Sequence, residues 1–299
     1  MRQDEYSVIY NLFNIKGIGN VNINKMLLAI SSLYNSDFFD KSILNLLSEE
    51  QKRDFVENFN NSILPENVGG LPIEYVSILD HEYPIELQKG LSTNAPALLS
   101  LIGNKEILKT KKVGFCGSRK ASSKGFEVTE DCVEQLVDEK ITIVSGYAAG
   151  IDQQAHHSAL SNGGTTIIIL PEGIKGFRIK KELKEVWDWE RVLVISEFLP
   201  NAIWSSSRAM QRNNTIIGLS DLMILIEAGD KGGSLDAGMK TLQLGKHLFA
   251  PIYENMPETA IGNKILLNRG ALPLKKKATT LKANLDQLLD LLYQPKQPK

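Results

Sequence analysis

One stretch decides the fold of this chain: KVGFCGSRKASSKG, residues 112–125. A short apolar run ends at Gly117-Ser118-Arg119-Lys120, and a segment with helix-spaced apolar residues and a serine cap follows at once. The pattern predicts a β-strand that turns sharply into an α-helix. Such a turn presents backbone N–H groups, a serine hydroxyl and a helix N-terminus to an anion, and Arg119 and Lys120 add positive charge. An ordinary surface turn has the same local pattern. The residues at the other strand ends are therefore needed to distinguish an anion-binding turn from an ordinary one.

Strand and helix patterns alternate from residue 113 to about residue 270. The predicted strands are nearly continuous apolar runs, as in buried parallel strands, at 113–117, 141–145, 166–170, 192–196, 222–227 and 247–251. Helical patterns lie between most of them, for example at 123–139, 151–161 and 235–245. The predicted fold class is α/β, with a Rossmann-like, doubly wound and mainly parallel sheet.

A small all-helical domain is predicted before the sheet, over residues 1–62. Gly17-Ile18-Gly19 lies between two segments with helix-spaced apolar residues, a pattern typical of a helix-hairpin-helix or SAM-like domain. Glycines in such a turn let the backbone approach a nucleic-acid phosphate, although a turn used only for packing has the same pattern. Further helices are predicted at 42–47 and 49–59.

The remaining domain boundaries follow from composition. Residues 63–110 are rich in proline and glycine turns, and they are predicted to be a connector with one or two strands that packs on the next domain. Residues 111–275 form the extended Rossmann-like domain. Residues 276–299 are predicted to form one amphipathic helix, at about 280–293, and a polar tail.

Composition restricts the classes of function. The chain has 299 residues and a net charge of −1, so any nucleic-acid binding requires a local basic patch. Its two cysteines, Cys116 and Cys132, fit reduced packing residues better than a disulfide framework. No apolar run is long enough to span a bilayer, and polar residues follow Met1 where a signal peptide would be apolar. The sequence therefore predicts a cytoplasmic protein without a membrane partner.

Glycine and serine are concentrated directly after the predicted strands. Because parallel strands end at one edge of a sheet, and ligands bind outside their carboxyl ends, these residues predict an anion-binding or nucleotide-binding cleft. The candidates after the first, second and fifth strands are Gly117, Ser118, Arg119, Lys120, Ser145, Gly146, Gly233 and Ser234.

Two basic clusters extend this set. Lys175 and Arg178 follow the third strand, with Trp187 and Trp189 close behind, and a second cluster contains Arg208, Arg212 and Asn213. Basic residues near aromatic rings suit a single-stranded nucleic acid, since charges contact its phosphates and rings stack on its bases. Acidic residues are interspersed in the first cluster, so a solvated charged surface is the alternative there.

The sequence lacks the motifs of several enzyme classes. The first turn has no G-x-G-x-x-G, no Gly-Lys-Ser/Thr motif occurs, and no histidine or cysteine pair has metal-ligand spacing. No catalytic residue, metal or cofactor is therefore predicted. The carboxylates that follow strand ends stay open as helix caps or as bases, namely Asp152, Glu172, Glu197 and Glu227.

Taken together, these motifs resemble the DNA-processing protein A family (DprA, also called Smf). The similar segments agree in order and spacing and cover most of residues 10–271: 17–19, 83–84, 95–96, 117–120, 144–156, 163–165, 196–198, 212–220, 233–235, 262–263 and 270–271.

The resemblance implies a bacterial cytoplasmic homodimer that is not an enzyme. Members bind single-stranded DNA on the Rossmann-like domain, protect it, and help to load the RecA recombinase in natural transformation. The DNA-contacting residues implied here are Ser118, Arg119, Lys120, Ser145, Gly146, Arg212, Asn213, Gly233 and Ser234.

The chain departs from the family pattern at several positions. A second arginine usually follows the Arg-Asn pair, where this chain has Asn214, and a Phe-Pro pair usually stands where Ala209-Met210 lies. A Tyr-Pro segment after the third strand is replaced by Gly176-Phe177-Arg178. A C-terminal winged helix, carried by many members, is not expected.

A second interpretation keeps the fold and changes the ligand. The glycine-rich sheet edge also resembles nucleotide sensors and cytokinin-activating phosphoribohydrolases, with a possible role in defence. In that case the cleft would hold a small nucleotide, and Glu227 could act in N-glycosidic cleavage. The Pro-Gly-Gly-x-Gly-Thr loop of the hydrolases is absent, and Gly232-Gly233-Ser234 matches it only in part.

Overall fold

The N-terminal region is helical. We describe a computed structural model, which covers residues 2–31, 39–61 and 63–294. The apolar faces of the first helices form a common core in which Val8, Leu12, Ile23 and Leu27 are fully buried. The helices are α1 (Arg2–Leu12), α2 (Asn20–Ser31), α3 (Phe39–Leu44) and α4 (Glu49–Asn61). The last two differ from the predicted ranges by up to three residues at an end, which is ordinary for helix boundaries.

The turn between α1 and α2 contains the glycines of the predicted hairpin. Gly17 has a φ of +83°, which residues with a side chain rarely adopt, and Ile18 beside it is buried. Asn20 Oδ1 accepts a hydrogen bond from the N–H of Ala97 at 2.9 Å, so α2 is bonded to the segment that follows the helical region. A nucleic-acid role for this turn stays a prediction.

Residues 63–110 contribute two strands to the main sheet. This segment contains β1 (Asn67–Val68), β2 (Leu71–Pro72), β3 (Glu74–Ser77), α5 (Ile85–Leu91) and β4 (Leu98–Gly103). β1 and β2 form a separate two-stranded sheet, whereas β3 and β4 pair antiparallel at one end of the large sheet. The segment is therefore part of the sheet as well as a connection to it.

The large sheet confirms the predicted fold class. Its parallel strands are β5 (Lys112–Cys116), β6 (Thr142–Ser145), β7 (Thr166–Ile169), β8 (Val192–Ser196), β9 (Leu222–Leu225), β10 (Leu248–Pro251) and β11 (Leu272–Leu274). Every residue of β5 to β10 is buried. Because helices cover both faces, these strands are continuous apolar runs without a polar alternation.

The strand order places a crevice beside residues 117–120. The order is β11-β10-β9-β5-β6-β7-β8-β4-β3, so the chain winds outward from β5 through β8 and then returns to the other side of β5 at β9. The direction of winding reverses between β5 and β9. At such a switch point the loops diverge to opposite faces, and a ligand-binding crevice opens at the carboxyl ends of the strands.

Helices pack on both faces of the sheet, as a doubly wound fold requires. α6, α7 and α11 bury Val133, Ala155 and Leu288 on one face, and α5, α8, α9 and α10 share a core on the other. Cys116 and Cys132 are both free and buried, in agreement with a packing role. The helices are α6 (Ser123–Asp138), α7 (Ile151–Ser161), α8 (Ser206–Leu219), α9 (Gly233–Gln243), α10 (Ile261–Asn268) and α11 (Asp286–Tyr293).

The C-terminal segment differs from the prediction. α11 begins at Asp286 rather than near residue 280, because residues 275–283 turn back and pair Lys276 with Ala283 in an antiparallel bridge. Leu281 in this turn has a φ of +60°, which a helix cannot accommodate. The predicted polar tail after residue 294 lies outside the described residues. Across residues 2–31, 39–61 and 63–294, no helix has both the length and the apolar character needed to cross a bilayer.

Candidate nucleic-acid interface

A cleft lies at the switch point between β5 and β9, on the carboxyl edge of the sheet. Its volume is about 510 Å³, and the loops after β5, β6 and β9 line it together with the first turns of α8 and α9. It brings together many of the residues predicted from the strand ends: Gly117, Ser118, Arg119, Arg212, Asn213, Gly233 and Ser234. The lining also contains Asp152, one of the carboxylates that the sequence left open as a cap or a base, together with Trp204, Met210 and Lys231.

The turn after β5 is held by its own hydrogen bonds. The N–H of Lys120 donates to Ser118 Oγ at 3.1 Å, and Ser234 Oγ donates to the carbonyl of Gly117 at 2.8 Å. Gly150, with a φ of +81°, passes so close that a Cβ there would lie 2.4 Å from the Ser118 carbonyl oxygen. The turn is therefore fixed from two sides, while the side chains of Arg119 and Lys120 extend into solvent.

The N-terminus of α9 faces the same cleft. Gly232 precedes it with a φ of +100°, and no side chain in the described part of the chain caps its first N–H groups. Uncapped N–H groups at a helix start attract anions, both by hydrogen bonding and through the helix dipole. Lys231, which is exposed beside them, adds a positive charge to this side of the cleft.

Arg212 forms the base of the cleft and is almost completely buried, with 4% of its surface exposed. Its Nη1 donates to the carbonyl oxygen of Ile169 at 3.2 Å and lies 3.9 Å from Asp152 Oδ2. A Cβ on Gly146 would lie 1.5 Å from this Nη1, so the guanidinium occupies space that only a glycine leaves free. Its Nε is buried and has no hydrogen-bond partner among the described residues.

Burial and neighbouring charges oppose each other at this pair. Burial lowers the pKa of Arg212 and raises the pKa of Asp152, and each charge partly offsets the shift of the other. Asp152 also accepts the N–H of Ala148 at 3.2 Å. Because the buried arginine has a buried carboxylate beside it, the positive potential of the cleft comes mainly from the exposed lining residues Arg119 and Lys231; Lys120 is exposed on the same turn as Arg119 but does not line the cleft.

Trp204 is a site residue that the sequence did not reveal. It is 52% exposed, lines the cleft, and its ring centroid lies 6.0 Å from the guanidinium carbon of Arg119. Large aromatic side chains are rarely left half in solvent without a partner. The sequence signal for this residue is a tryptophan in the Ser-rich loop directly before the basic helix α8.

Trp187 and Trp189 lie in an aromatic cluster of the core, away from the cleft. Phe177 contacts both rings, with centroid distances of 5.7 and 6.0 Å. The basic residues of the same segment are exposed, but Arg178 Nη1 donates to the carbonyls of Lys175 and Phe177. Lys175 and Arg178 are not among the residues that line the cleft.

Two residues at the end of β6, Ser145 and Gly146, support the cleft without exposing a ligand group to it. Ser145 is fully buried, and its Oγ donates to the carbonyl oxygen of Phe115 at 2.7 Å, which ties β6 to β5. Gly146 provides the space for Arg212 described above. Neither residue lines the cleft.

Arg208 and Asn214 lie on α8 but outside the cleft lining. Arg208 Nη1 donates to the Ile203 carbonyl at 2.6 Å, and the residue lines a smaller groove of about 230 Å³ against the helical region, together with Gly19 and Phe198. Asn214 is half-buried one residue after the cleft residue Asn213. The position of the missing family arginine is thus not a cleft-lining position in this chain.

Glu227 is a structural carboxylate. It is fully buried, its Oε2 accepts the N–H of Ser122 at 2.9 Å and the Thr259 hydroxyl at 2.7 Å, and its Oε1 accepts the Ser122 hydroxyl. A Cβ on Gly125 would lie 2.7 Å from Oε1, which shows how closely the first turn of α6 packs on it. These contacts anchor α6 and leave the carboxylate no access to a ligand in the cleft.

Two further buried polar residues near the sheet edge, Glu197 and His156, are engaged by hydrogen bonds. Glu197 accepts hydrogen bonds from Gln211 and Thr215, and its burial raises its pKa. His156 bonds Gly146 O through Nε2 at 2.6 Å and Thr166 Oγ1 through Nδ1 at 2.7 Å, and burial lowers its pKa to about 4. Within the described ranges, no group of three or more His, Cys, Asp and Glu side chains is arranged to hold a metal ion.

Comparison with known proteins agrees with this geometry. The family model described as DNA recombination-mediator protein A matches residues 74–285. The DNA processing protein DprA of Streptococcus pneumoniae (strain ATCC BAA-255 / R6) is 37% identical over 176 residues. That alignment covers 58% of this chain and 61% of the relative, so the chain spans about three fifths of the relative's length.

Solved structures give the same result for the fold. The X-ray structure of DNA processing protein A from Streptococcus pneumoniae has a TM-score of 0.75 at 30% identity and covers 90% of this chain and 94% of its own. DNA processing protein A from Helicobacter pylori shares the fold, with a TM-score of 0.58 at 24% identity over 69% of this chain and 93% of its own. The resemblance inferred from the strand-end motifs is therefore confirmed, and the chain belongs to the DNA recombination-mediator protein A family.

Proposed function

We propose that this protein binds single-stranded DNA in the cleft and acts by binding rather than by catalysis. The observation that carries the proposal is the placement of Arg119 beside the exposed ring of Trp204 at the opening of the cleft. A guanidinium can contact a phosphate while the neighbouring indole stacks on an unpaired base. That combination is the usual basis of single-strand binding without sequence preference.

Phosphate binding is supported by the distribution of charge. Arg119, Lys120 and Lys231 are exposed around the opening, whereas the carboxylates of Asp152 and Glu227 are buried and engaged beneath it. The uncapped start of α9 adds backbone donors. An anionic backbone at the opening would therefore meet donors and positive charge; Asp230 and Asp236, the exposed carboxylates beside the start of α9, do not line the cleft.

The preference for a single strand follows from Trp204. The bases of a duplex are stacked on one another and paired, so their faces are not available to an indole at the protein surface. A single strand offers free base faces, and one such stack contributes roughly 1–3 kcal/mol. We therefore infer weaker binding of a duplex of the same length.

The relatives support the wider biological role in the same proposal. The family is described as recombination mediators, and the Helicobacter pylori protein is one whose single-stranded DNA binding mode is known from its structure. We propose that this chain protects incoming single-stranded DNA in the cytoplasm and assists loading of the RecA recombinase during transformation.

A homodimer is part of the proposal. Ile261 and Ile265 are 47% and 36% exposed, and they lie four residues apart on α10, hence on one face of that helix. An exposed apolar face of this kind is a suitable contact for a second copy. Sedimentation of the protein and of Ile261→Lys/Ile265→Lys tests it, with a smaller mass expected for the variant.

Fluorescence anisotropy with labelled oligo-dT tests the DNA proposal. Arg119→Ala should weaken binding about fivefold at about 0.1 M salt and lower the slope of log K against log salt by about 0.7, because one phosphate contact is lost. Lys140→Asn is the matched control: Lys140 is exposed at the opposite edge of the sheet, and its φ of +58° suits asparagine. No binding by the unaltered protein, or equal losses in both variants, would contradict the proposal.

A nucleotide ligand is the second candidate, because the cleft volume of about 510 Å³ suits a small molecule. Catalysis through Glu227 is disfavoured by the hydrogen bonds that hold this residue. A thermal-shift screen of nucleotides distinguishes the candidates: strong stabilisation by one nucleotide at low concentration would favour a sensor.

A further inference from the structure

A second groove lies on the same edge of the sheet, beyond the ends of β10 and β11. Its volume is about 490 Å³. Lys124, Lys275 and Lys276 line it, together with the exposed apolar residues Ile252 and Leu281. It shares none of these residues with the cleft, and nothing in the proposed function uses it.

The lysines of this groove differ from their neighbours in the same turn. Lys277 pairs with Asp286 at 2.7 Å, and Lys282 pairs with Glu134 at 3.0 Å. Lys124, Lys275 and Lys276, in contrast, are exposed and form no ion pair with any residue in the described part of the chain. Three lysine side chains thus converge on one groove.

Two carboxylates, Asp131 and Glu254, also line the groove, and Glu127, Glu130 and Glu134 line the adjoining groove that shares Lys276 with it. Asp131 is engaged by the backbone, since its Oδ2 accepts the N–H of Ala283 and its Oδ1 accepts from Gln135 at 3.1 Å. Glu254 is exposed on the loop after β10. With three lysines against two carboxylates, the lining of this groove has a small excess of positive charge, and Asp131 holds the lysine-bearing turn against α6.

The groove lies close to the cleft, both along the chain and across the sheet. Lys124 lies in the first turn of α6, directly after the turn that carries Arg119 and Lys120. β10 is the neighbour of β9, and β11 ends three strands away from β5, a distance of roughly 14 Å at the usual strand spacing. Arg119, Lys120, Lys124, Lys275 and Lys276 therefore form one series of basic side chains along the carboxyl edge, which we name the basic track.

We propose that a DNA strand leaving the cleft past Arg119 continues along the basic track, where Lys124, Lys275 and Lys276 contact its phosphates. This inference rests on the proposed function and extends it from a local site to a path. The contact is with the backbone alone, because Tyr253, the aromatic residue of the groove, is buried and donates its hydroxyl to the Ile226 carbonyl. Bases over the track face solvent and stay accessible.

Oligonucleotide length distinguishes the track from the cleft. An oligo-dT of about 6 nucleotides fits within the cleft, whereas one of about 20 nucleotides also reaches the track. Lys275→Ala/Lys276→Ala should leave the short oligomer's affinity unchanged and weaken the long one about 25-fold at about 0.1 M salt. The salt slope for the long oligomer should fall by about 1.4, which is 0.7 for each lost phosphate contact.

A charge-matched variant provides the control. Lys109→Ala/Lys140→Asn removes the same number of exposed lysines from the opposite edge, before β5 and β6, and should affect neither oligomer. The proposal of a basic track would be overturned if Lys275→Ala/Lys276→Ala weakened the binding of both oligomers equally, or of neither. It would also be overturned if the control variant weakened binding as much as Lys275→Ala/Lys276→Ala does. Failure of the proposed function is a separate result, because the unaltered protein would then not bind the short oligomer.

Discussion

Nη1 of Arg212 lies 3.9 Å from Oδ2 of Asp152, and both side chains are buried beneath the cleft. The pair gives the cleft a charged base that is fixed before any ligand arrives. It also makes Arg212 a poor choice for an alanine test of DNA binding, because its removal would leave Asp152 buried without its partner.

The first prediction concerns the stability of this pair. Arg212→Met should lower the free energy of unfolding by about 3 kcal/mol, because a buried charge loses its partner. The double variant Arg212→Met/Asp152→Asn should lose less, since no unpaired charge remains. Urea unfolding followed by circular dichroism measures both, with Arg208→Met on the same helix as a control that should change by less than about 0.5 kcal/mol. A double variant no more stable than Arg212→Met would contradict the pairing.

The second prediction concerns Gly146. A Cβ at this position would lie 1.5 Å from Arg212 Nη1 and 2.4 Å from Asp152 Oδ2, so Gly146→Ala must displace the guanidinium. We expect a loss of about 1–3 kcal/mol in unfolding free energy, typical of overpacking. Gly229→Ala is the matched control, because a Cβ there makes only an ordinary contact at 3.6 Å with the Lys231 carbonyl. Equal stability of the two variants would show that Arg212 can move at little cost.

The third prediction concerns Trp204. Trp204→Ala should weaken oligo-dT binding by roughly 1–3 kcal/mol, which is about fivefold to more than a hundredfold, whereas Trp204→Phe should retain most of the affinity. Ile203→Ala removes a neighbour that is 78% exposed and should have no effect. Anisotropy titrations measure the affinity of each variant. If Trp204→Phe and Trp204→Ala lose the same affinity, the ring does not stack on a base.

The fourth prediction concerns pH. Burial lowers the pKa of His156 to about 4, from an ordinary value of 6.5. Between these values the unfolded chain takes up a proton that the folded chain does not, so the free energy of unfolding falls as the pH falls from 6.5 towards 4. The histidine contributes a loss of about 3 kcal/mol over that range and no change above it.

The variant His156→Gln isolates this contribution. Burial raises the pKa of Asp152 and of Glu197, so these carboxyls act in the opposite direction as the pH falls. Both carboxyls remain in His156→Gln. The difference in pH dependence between the variant and the unaltered protein is therefore due to the histidine. Unfolding at pH 7 and pH 5 measures it; an identical pH dependence in the two proteins would refute the buried neutral imidazole.

Local sequence was sufficient for the elements and for one side of the site. Buried parallel strands are recognisable because both faces need apolar, β-branched residues, and β5 to β10 lie within a few residues of their predicted positions. The turn at Gly117-Ser118-Arg119-Lys120 was recognisable because glycine and serine follow a strand directly. Short-range signals of this kind depend on residues that are neighbours in the chain.

The direction and depth of each side chain were decided by the tertiary structure. Three polar residues near strand ends satisfy buried partners. Ser145 bonds to β5, Arg212 is buried against Gly146, and Glu227 anchors α6. Trp204 is exposed beside Arg119, although these residues are far apart in sequence. The sheet and its glycine-rich edge are predictable from the sequence, because periodicity and turn chemistry are local. Which residues the cleft presents depended on contacts between distant segments, because only packing fixes whether a polar group faces solvent or satisfies a buried partner.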